Sequence, residues 1–368
     1  MQALILVGGE GTRLRPLTSS VPKAVIPLAG QPFLTYMLEW LRSHGVDDVV
    51  LSCGFRADGV RAVLGDGEAI GIRLRYVEEP EPLGTGGGLK FAEEMLEDRF
   101  FVLNGDQLTD IDLTAQLARH EAVGARATLA LMAVPDPSAY GLVRLGEDGA
   151  VRGFLEKPSP DQIDTNLVNA GAYILERSVL ADMPAAGTNF SIERDVFPRL
   201  VGSGLYGVPA TDVYWIDIGT PERYLQASFD ILEGQVRTEL GARLAASGLC
   251  LVEEAEISGR VAPPALVGPG CLVAEHAVVG GRAVLGRSVT VQEGAHVESS
   301  VVLDGAVVGP GTTVHGSIVG PGARVGENCR LEGLVMLGEG VVVGRDNVLA
   351  SGARIFPGVE LPDGAIGF

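Results

Sequence analysis

Cysteine is scarce in this chain of 368 residues: there are four, Cys53, Cys250, Cys271 and Cys329, widely scattered and with no CxxC pair. That excludes a dense disulfide framework and predicts reduced structural thiols in a cytoplasmic protein. An excess of positive charge is also missing. Lys and Arg number 28 against 47 Asp and Glu, a net charge of -19, and such a surface repels nucleic acid. A small anion stays admissible, because the cations Arg13, Arg15 and Lys23 act locally, within a Debye length of about 8 Å. Although 46% of the residues are hydrophobic, no uninterrupted apolar run approaches the ~20 residues of a membrane helix. The apolar run near the N-terminus is a few residues long and has no basic region before it, which predicts a strand and not a secretory signal.

What is present begins with that strand. Leu4-Ile5-Leu6-Val7 runs into Gly8-Gly9-Glu10-Gly11-Thr12-Arg13-Leu14-Arg15-Pro16-Leu17-Thr18, with Val21-Pro22-Lys23 following. Glycine lets the main chain come close to a ligand and point successive N–H groups at phosphate oxygens. Arg13 adds a planar fork of donors, Lys23 a compact point charge and Thr12 a hydroxyl. The combination reads as a seat for a nucleoside triphosphate. For the glycines alone, an ordinary tight strand-to-helix turn is an equal reading. The loop has neither the Gly-Lys-Ser/Thr ending of a P-loop nor the third glycine of a dinucleotide fingerprint.

The chain changes period along its length, and 368 residues exceed one usual core, so two domains are expected. Up to about residue 234, short apolar runs at 3–7, 49–53, 74–77, 100–103 and 127–134 alternate with helical patterns at 33–44, 88–97 and 221–232. This predicts an α/β domain with a largely parallel sheet and a ligand beyond the carboxyl ends of its strands. After about residue 255, Val267, Val273, Val279, Leu285, Val291, Val297 and Leu303 recur every six residues. After a phase slip, Val319, Val325, Leu331, Leu337, Val343 and Leu349 do the same. A hexapeptide period with one aliphatic position predicts a parallel β-helix. Residues 236–255 show no strong period and are expected to form the joint.

At the residues from Gly9 to Lys23 the chain resembles the nucleotidyltransferases that make NDP-sugars from a nucleoside triphosphate and a sugar 1-phosphate. Their signature Gly-x-Gly-Thr-Arg-Leu-x-Pro-Leu-Thr, with a later Pro-Lys, stands here complete. The likeness recurs at Glu79-Pro80-Glu81-Pro82-Leu83-Gly84-Thr85-Gly86-Gly87, Asn104-Gly105-Asp106, Glu156-Lys157-Pro158, Asn169-Ala170-Gly171 and Trp215-Ile216-Asp217-Ile218-Gly219. It implies a Rossmann-like nucleotidyltransferase domain with a mostly parallel sheet over 1–235. A linker over 236–255 and a left-handed β-helix of hexapeptide repeats over 256–368 follow. Flat-faced rods pair, so a homo-oligomer through the β-helix or the catalytic domain is expected.

The chemistry asks for neutralisation of the triphosphate, in-line placement of the incoming phosphate and stabilisation of pyrophosphate. The attacking phosphate oxygen is already ionised, so the search is for cations and metal-binding carboxylates. Asp106 lies at the end of an apolar run and Asp217 between Ile216 and Ile218. A lone aspartate at a strand end is more often a turn or cap residue, whereas the resemblance implies that these two hold Mg²⁺, which takes one or two protein carboxylates. It further implies nucleotide binding by Leu6, Gly8, Gly9, Gly11, Thr12, Arg13, Glu79, Gly84, Thr85 and Asp106, with Arg13, Lys23 and Asp106 serving catalysis. Sugar-phosphate binding would fall to Gly141, Glu156, Lys157 and Asn169.

Pyrimidine-specific members present Gln before the Pro-x-Pro-x-Gly segment, where this chain has Glu79. An ionised carboxylate only accepts, and guanine offers N1–H and a 2-amino group side by side. Together with the motifs around Asn169 and Ser191-Ile192-Glu193-Arg194-Asp195, this looks most like enzymes that join GTP to mannose 1-phosphate. Alternatives are a glucose-1-phosphate thymidylyl- or uridylyltransferase, a regulatory subunit that binds sugar nucleotides without turnover, and an acetyl transfer on the β-helix using His276, His296 or His315.

Overall fold

A computed structural model describes residues 1–54 and 56–367. The last residue of the expected β-helix, 368, lies outside them. The chain forms two compact units. One comprises Met1–Gly9 and Leu34–Trp215, and the other comprises Glu10–Phe33 together with the chain from Ile216 onward. The units are therefore not divided where the period changes, because the segment after the first glycines belongs with the C-terminal part.

The first unit is built on a nine-stranded sheet. Its parallel centre has β1 (Gln2–Leu6) between β2 (Asp48–Cys53) and β4 (Arg99–Asn104), with β3 (Arg73–Glu78) beside β2. Ala3, Leu4 and Ile5 are fully buried, as are Val49, Val50 and Leu51. Strands apolar on both faces fit a parallel sheet covered on both sides. Beyond β4 the sheet turns antiparallel around β8 (Leu167–Glu176), which pairs with β4 and with β5 (Ala127–Ala133). The hairpin of β6 (Gly141–Leu145) and β7 (Val151–Glu156) completes this flank, and β9 (Leu205–Pro209) lies parallel to β5. Leu4, Phe100, Val102, Tyr173, Ile192 and Phe197 form part of one buried apolar core. Full burial of each large apolar side chain contributes about 1.5–3 kcal/mol.

One helix departs from expectation. The pattern predicts a helix over 88–97 after a glycine turn, but α1 spans Gly84–Phe91 and a short 3₁₀ turn occupies Glu93–Met95. The glycines are part of the helix because the helix is pressed against its neighbours. A Cβ on Gly86 would enter the Phe190 ring, and one on Gly88 would stand 2.6 Å from Glu79 Oε1 and 3.0 Å from Ser52 Oγ. Close approach outweighs the low helix propensity of glycine.

In the second unit, the segment expected to be a joint is ordered. Thr238 caps α3 (Glu239–Ala246), its hydroxyl accepting the Gly241 N–H at 2.9 Å, and Leu240 and Leu244 are buried. An eight-residue helix is too short to display its period. Before it lies α2 (Pro221–Leu232), as the sequence predicts. The β-helix then begins inside that segment, because Cys250–Val252 already pairs with Ala265–Val267.

The rod has three parallel sheets of seven, seven and six strands, an arrangement consistent with a left-handed β-helix. Corresponding residues lie 18 apart, as in Val267↔Leu285. The phase slip has a structural basis. Leu285 pairs with Val302 and Val302 with Val319, both 17 apart, so Val302, and not Leu303, occupies the stack. Each of these two turns is one residue shorter than the 18-residue turns on either side of them, while the first turn, Cys250↔Ala265, spans 15.

Candidate active site

The carboxyl ends of the parallel strands gather one group of the expected residues. Leu6 ends β1, and Gly8 and Gly9 follow it, both exposed. Gly105 packs against that end: its N–H donates to the Leu6 carbonyl at 3.0 Å, and a Cβ on it would stand 2.6 Å from the same oxygen. The next residue is Asp106, so the close approach of two backbones, available only to glycine here, sets Asp106 beside the end of β1. Glu79 lies past the end of β3. Ser52 donates to its Oε1 at 2.9 Å, and its Oε2 accepts the Leu83 N–H at 3.0 Å. A Cβ on Gly8 would be 3.8 Å from Glu79 Oε1. The carboxylate is thus held toward the strand ends and also anchors the start of α1.

The antiparallel flank gathers the expected sugar residues. Gly141 and Glu156 are register partners, and a Cβ on Gly141 would stand 2.9 Å from Glu156 Oε2. Lys157 is exposed, has a φ of 51°, and donates its N–H to the Tyr140 carbonyl at 3.0 Å. Asn169 is buried. Its amide donates to the Tyr173 hydroxyl at 2.8 Å, and its oxygen accepts the Gly171 N–H at 3.0 Å. Gly84 is exposed at the start of α1 with a φ of 72°. Thr85 is engaged inside the protein: its hydroxyl donates to Glu193 Oε2 at 2.6 Å and accepts the Ile192 N–H at 3.0 Å.

Glu193 is the residue that sequence reasoning left without a role. It is 9% exposed, accepts the Ser191 hydroxyl at 2.6 Å as well as that of Thr85, and lies 3.5 Å from the Tyr173 hydroxyl. Burial, and then the charge of Glu193, push the Glu156 carboxyl above its ordinary range, while Lys157 and Arg194 oppose the shift. Burial also holds Tyr173 well above its usual pKa, so it stays a neutral donor. Asn104 Oδ1 is buried with no hydrogen-bond partner among the described residues. The signal for this network was a carboxylate set directly after Ile192, in a stretch that also carries Ser191, Arg194 and Asp195 between two phenylalanines.

The second unit holds the remaining expected residues. Gly11 has a φ of 64°, and a Cβ there would stand 3.0 Å from Lys23 Cβ and 3.1 Å from Thr18 Cγ2. Thr18 donates to the Gly11 carbonyl at 2.8 Å. Thr12 and Arg13 open a 3₁₀ turn, Thr12–Leu14, and both are exposed. Asp217 forms an ion pair with Arg223 of α2 and accepts the Gly219 N–H at 3.2 Å. Gly219 is tightly enclosed: a Cβ on it would stand 2.6 Å from Arg13 Nη2 and 2.8 Å from Asp217 Oδ1. Both obstructing atoms are ends of side chains. Gly219→Ala is therefore expected to leave the melting temperature nearly unchanged while lowering kcat by about tenfold, since a misplacement of this order costs up to about 10²-fold. Thermal melts beside steady-state rates check this.

Two of the β-helix histidines, His296 and His315, line one cavity together with Arg260, Glu298 and Glu332. His276, His296 and His315 are exposed. His296 aligns with Thr313 and His315 with Glu298, which lies 3.7 Å away. The cysteines are free, and burial pushes Cys53 up to about 12, which leaves it inert as a nucleophile. Among the described residues no helix is long and apolar enough to cross a membrane.

Residues 2–234 match the nucleotidyl transferase family, and residues 261–364 match the family described as GMPPB C-terminal domain. The chain is 40% identical to the mannose-1-phosphate guanylyltransferase of Mycobacterium tuberculosis, over 100% of this chain and 97% of the relative. It is 32% identical to the UTP–glucose-1-phosphate uridylyltransferase of Synechocystis, over 76% of this chain and 81% of that one. Among solved structures, HddC from Yersinia pseudotuberculosis complexed with GMP-PN has 31% identity and a TM-score of 0.53, covering 62% of this chain and 97% of HddC. With the phosphate-loop signature, the strand-end carboxylate and the matched C-terminal rod all in one chain, this protein belongs to the sugar-1-phosphate nucleotidyltransferase family.

Proposed function

We propose that the chain transfers a guanylyl group from GTP to mannose 1-phosphate, yielding GDP-mannose and pyrophosphate in a Mg²⁺-dependent reaction. The observation that carries the choice of base is the Glu79 carboxylate, oriented by Ser52 and the Leu83 N–H and turned toward Gly8. A paired set of acceptor oxygens matches the adjacent N1–H and 2-amino donors of guanine. The name of the Mycobacterium tuberculosis relative supports the same choice of base and sugar.

In this reading the N–H groups after Leu6, at Gly8, Gly9 and Gly11, receive the phosphates, with Thr12, Arg13 and Lys23 supplying a hydroxyl and two charges. Gly84, packed on the Phe190 carbonyl, meets the nucleotide with its backbone, and Thr85 acts through Glu193. Lys157 holds the sugar phosphate. Glu156, Asn169 and the backbone at Gly141 meet sugar hydroxyls, and a hydroxyl would satisfy the unpartnered Asn104 Oδ1. An oxygen of the sugar phosphate attacks the α-phosphorus as the bond to the bridging β-phosphate oxygen breaks, and pyrophosphate leaves with that electron pair.

The donors proposed for the metal are Asp106 and Asp217. Both offer hard oxygens, and among the described residues no group of three or more His, Cys, Asp or Glu forms a metal cage. One or two carboxylates, completed by water and phosphate, is the pattern that suits Mg²⁺. When bound, the ion would neutralise charge developing on the phosphates. Four free thiols accord with a cytoplasmic setting.

The deciding experiment measures pyrophosphate release for GTP, UTP, dTTP and ATP with mannose and glucose 1-phosphates. GTP with mannose 1-phosphate is expected to give the highest kcat/KM. A preference for UTP with glucose 1-phosphate would move the assignment to the activity named for the Synechocystis relative.

A further inference from the structure

The first sheet of the β-helix has an outward face that is not exposed. Strand residues alternate sides, and its inward column, Val267, Leu285, Val302, Val319 and Leu337, fills the rod. The neighbouring outward column is Leu266, Val284, Val301, Ile318 and Met336, joined in register from strand to strand. All five are 3% exposed or less. A solvated face would carry polar residues, so this strip is a packing surface within the folded chain. At one end Gly30 lies against it, with a Cβ there 3.1 Å from Leu266 Cδ2.

The next residue in the outward column is Arg354, aligned with Met336. There the column changes from aliphatic to charged. Arg354 Nη1 donates to two backbone carbonyls, those of Arg13 at 3.0 Å and Arg15 at 3.1 Å. These carbonyls belong to the 3₁₀ turn of the signature loop. Inside that turn the Gly11 and Thr12 carbonyls accept the Leu14 and Arg15 N–H groups, whereas the last carbonyls of any helical turn lack partners within it. Arg354 supplies their partner from a strand 341 and 339 residues along the chain.

We infer that the final rung of the β-helix is a working part of the nucleotide site: Arg354 is a positioning residue that fixes the turn carrying Thr12 and Arg13, and through it the affinity for the triphosphate. The inference rests on the proposed triphosphate seat for its kinetic consequence, but not for its structural one. Arg354 is exposed, and its bonds go to backbone oxygens, so removing it loosens the loop without opening a core.

The test uses the full chain with Arg354→Ala, Arg354→Lys and, as a control for the rod, Arg324→Ala. Hydrogen exchange of the Leu14 and Arg15 amides in the ligand-free protein reads the loop directly. In Arg354→Ala that exchange is expected to accelerate about tenfold, the effect of losing charge-assisted hydrogen bonds. KM for the triphosphate should rise by about the same factor. KM for the sugar phosphate and the melting temperature should stay at wild-type values. Arg354→Lys, with three donors on a long stem, should restore most of both, and Arg324→Ala should change neither. Wild-type exchange and wild-type triphosphate KM in Arg354→Ala would overturn the inference, as would a parallel rise of both KM values with a fall in melting temperature. If the wild-type protein turns over no triphosphate at all, the proposed function fails, while the exchange measurement still judges Arg354.

Discussion

Replacement of Asp106 or Asp217 by Asn is expected to lower kcat by about two to three powers of ten, the range seen when one group that stabilises developing charge is removed. Asn keeps the shape and one acceptor oxygen but loses the charge that a divalent cation requires. Asp106 follows Gly105, whose packing on the Leu6 carbonyl belongs to the backbone and survives the change. Asp217 also pairs with Arg223, so Asp217→Asn frees that guanidinium. Arg223 is over a third exposed while Asp217 is 13% exposed, so water takes over much of the guanidinium's solvation, and the introduced Asn keeps an amide oxygen that still accepts from it; a fully exposed pair would contribute only about 0–1 kcal/mol. The fold should therefore persist, as judged by circular dichroism and thermal melts. Turnover should stay low when Mg²⁺ is raised to saturation. Near-native turnover in either variant would remove that aspartate from the proposed metal site.

Glu79→Gln should alter which nucleotide the enzyme prefers. Gln retains one acceptor oxygen, and its amide donates where guanine also donates, so kcat/KM for GTP is expected to fall by about 10²-fold or more, the scale of an unpaired buried donor in a recognition site. The same amide suits a pyrimidine, which offers N3–H and a carbonyl, so UTP and dTTP should lose far less and GTP preference should shrink or reverse. Glu79 has a second duty, since it accepts the Ser52 hydroxyl and the Leu83 N–H. If anchoring the start of α1 is its whole contribution, all four nucleotides will suffer equally in Glu79→Gln. Comparing the nucleotide panel between wild type and variant separates these outcomes.

Much of the architecture was legible because it is written in local periodicity. Apolar runs marked β1 to β5 to within two residues at each end, and Pro221 marked the start of α2. The six-residue spacing marked the rod. It mislabelled one stack position, Leu303 in place of Val302, because a turn shortened at a corner shifts the count without altering the pattern on either side. The helix at Gly84 was misjudged because glycine signals a turn by its own propensity, and only its tertiary neighbours, Phe190 at Gly86, Thr188 at Gly87 and Glu79 with Ser52 at Gly88, explain why three successive glycines are helical.

The sequence by itself determined the family and named the candidates: a glycine-rich turn after a buried strand, Arg13 and Lys23 proposed for phosphate, carboxylates at Asp106 and Asp217, and Glu79 before the Pro-x-Pro-x-Gly segment. These are matters of residue type and spacing along the chain, which a sequence records. Tertiary structure decided which of them are already engaged with protein: Thr85 with Glu193, Asp217 with Arg223, Glu79 with Ser52 and Leu83. It also brought Arg354 to the carbonyls of Arg13 and Arg15. No period or motif links positions more than 300 residues apart, because that meeting depends on turns of 15 to 18 residues stacking until the last rung reaches the loop.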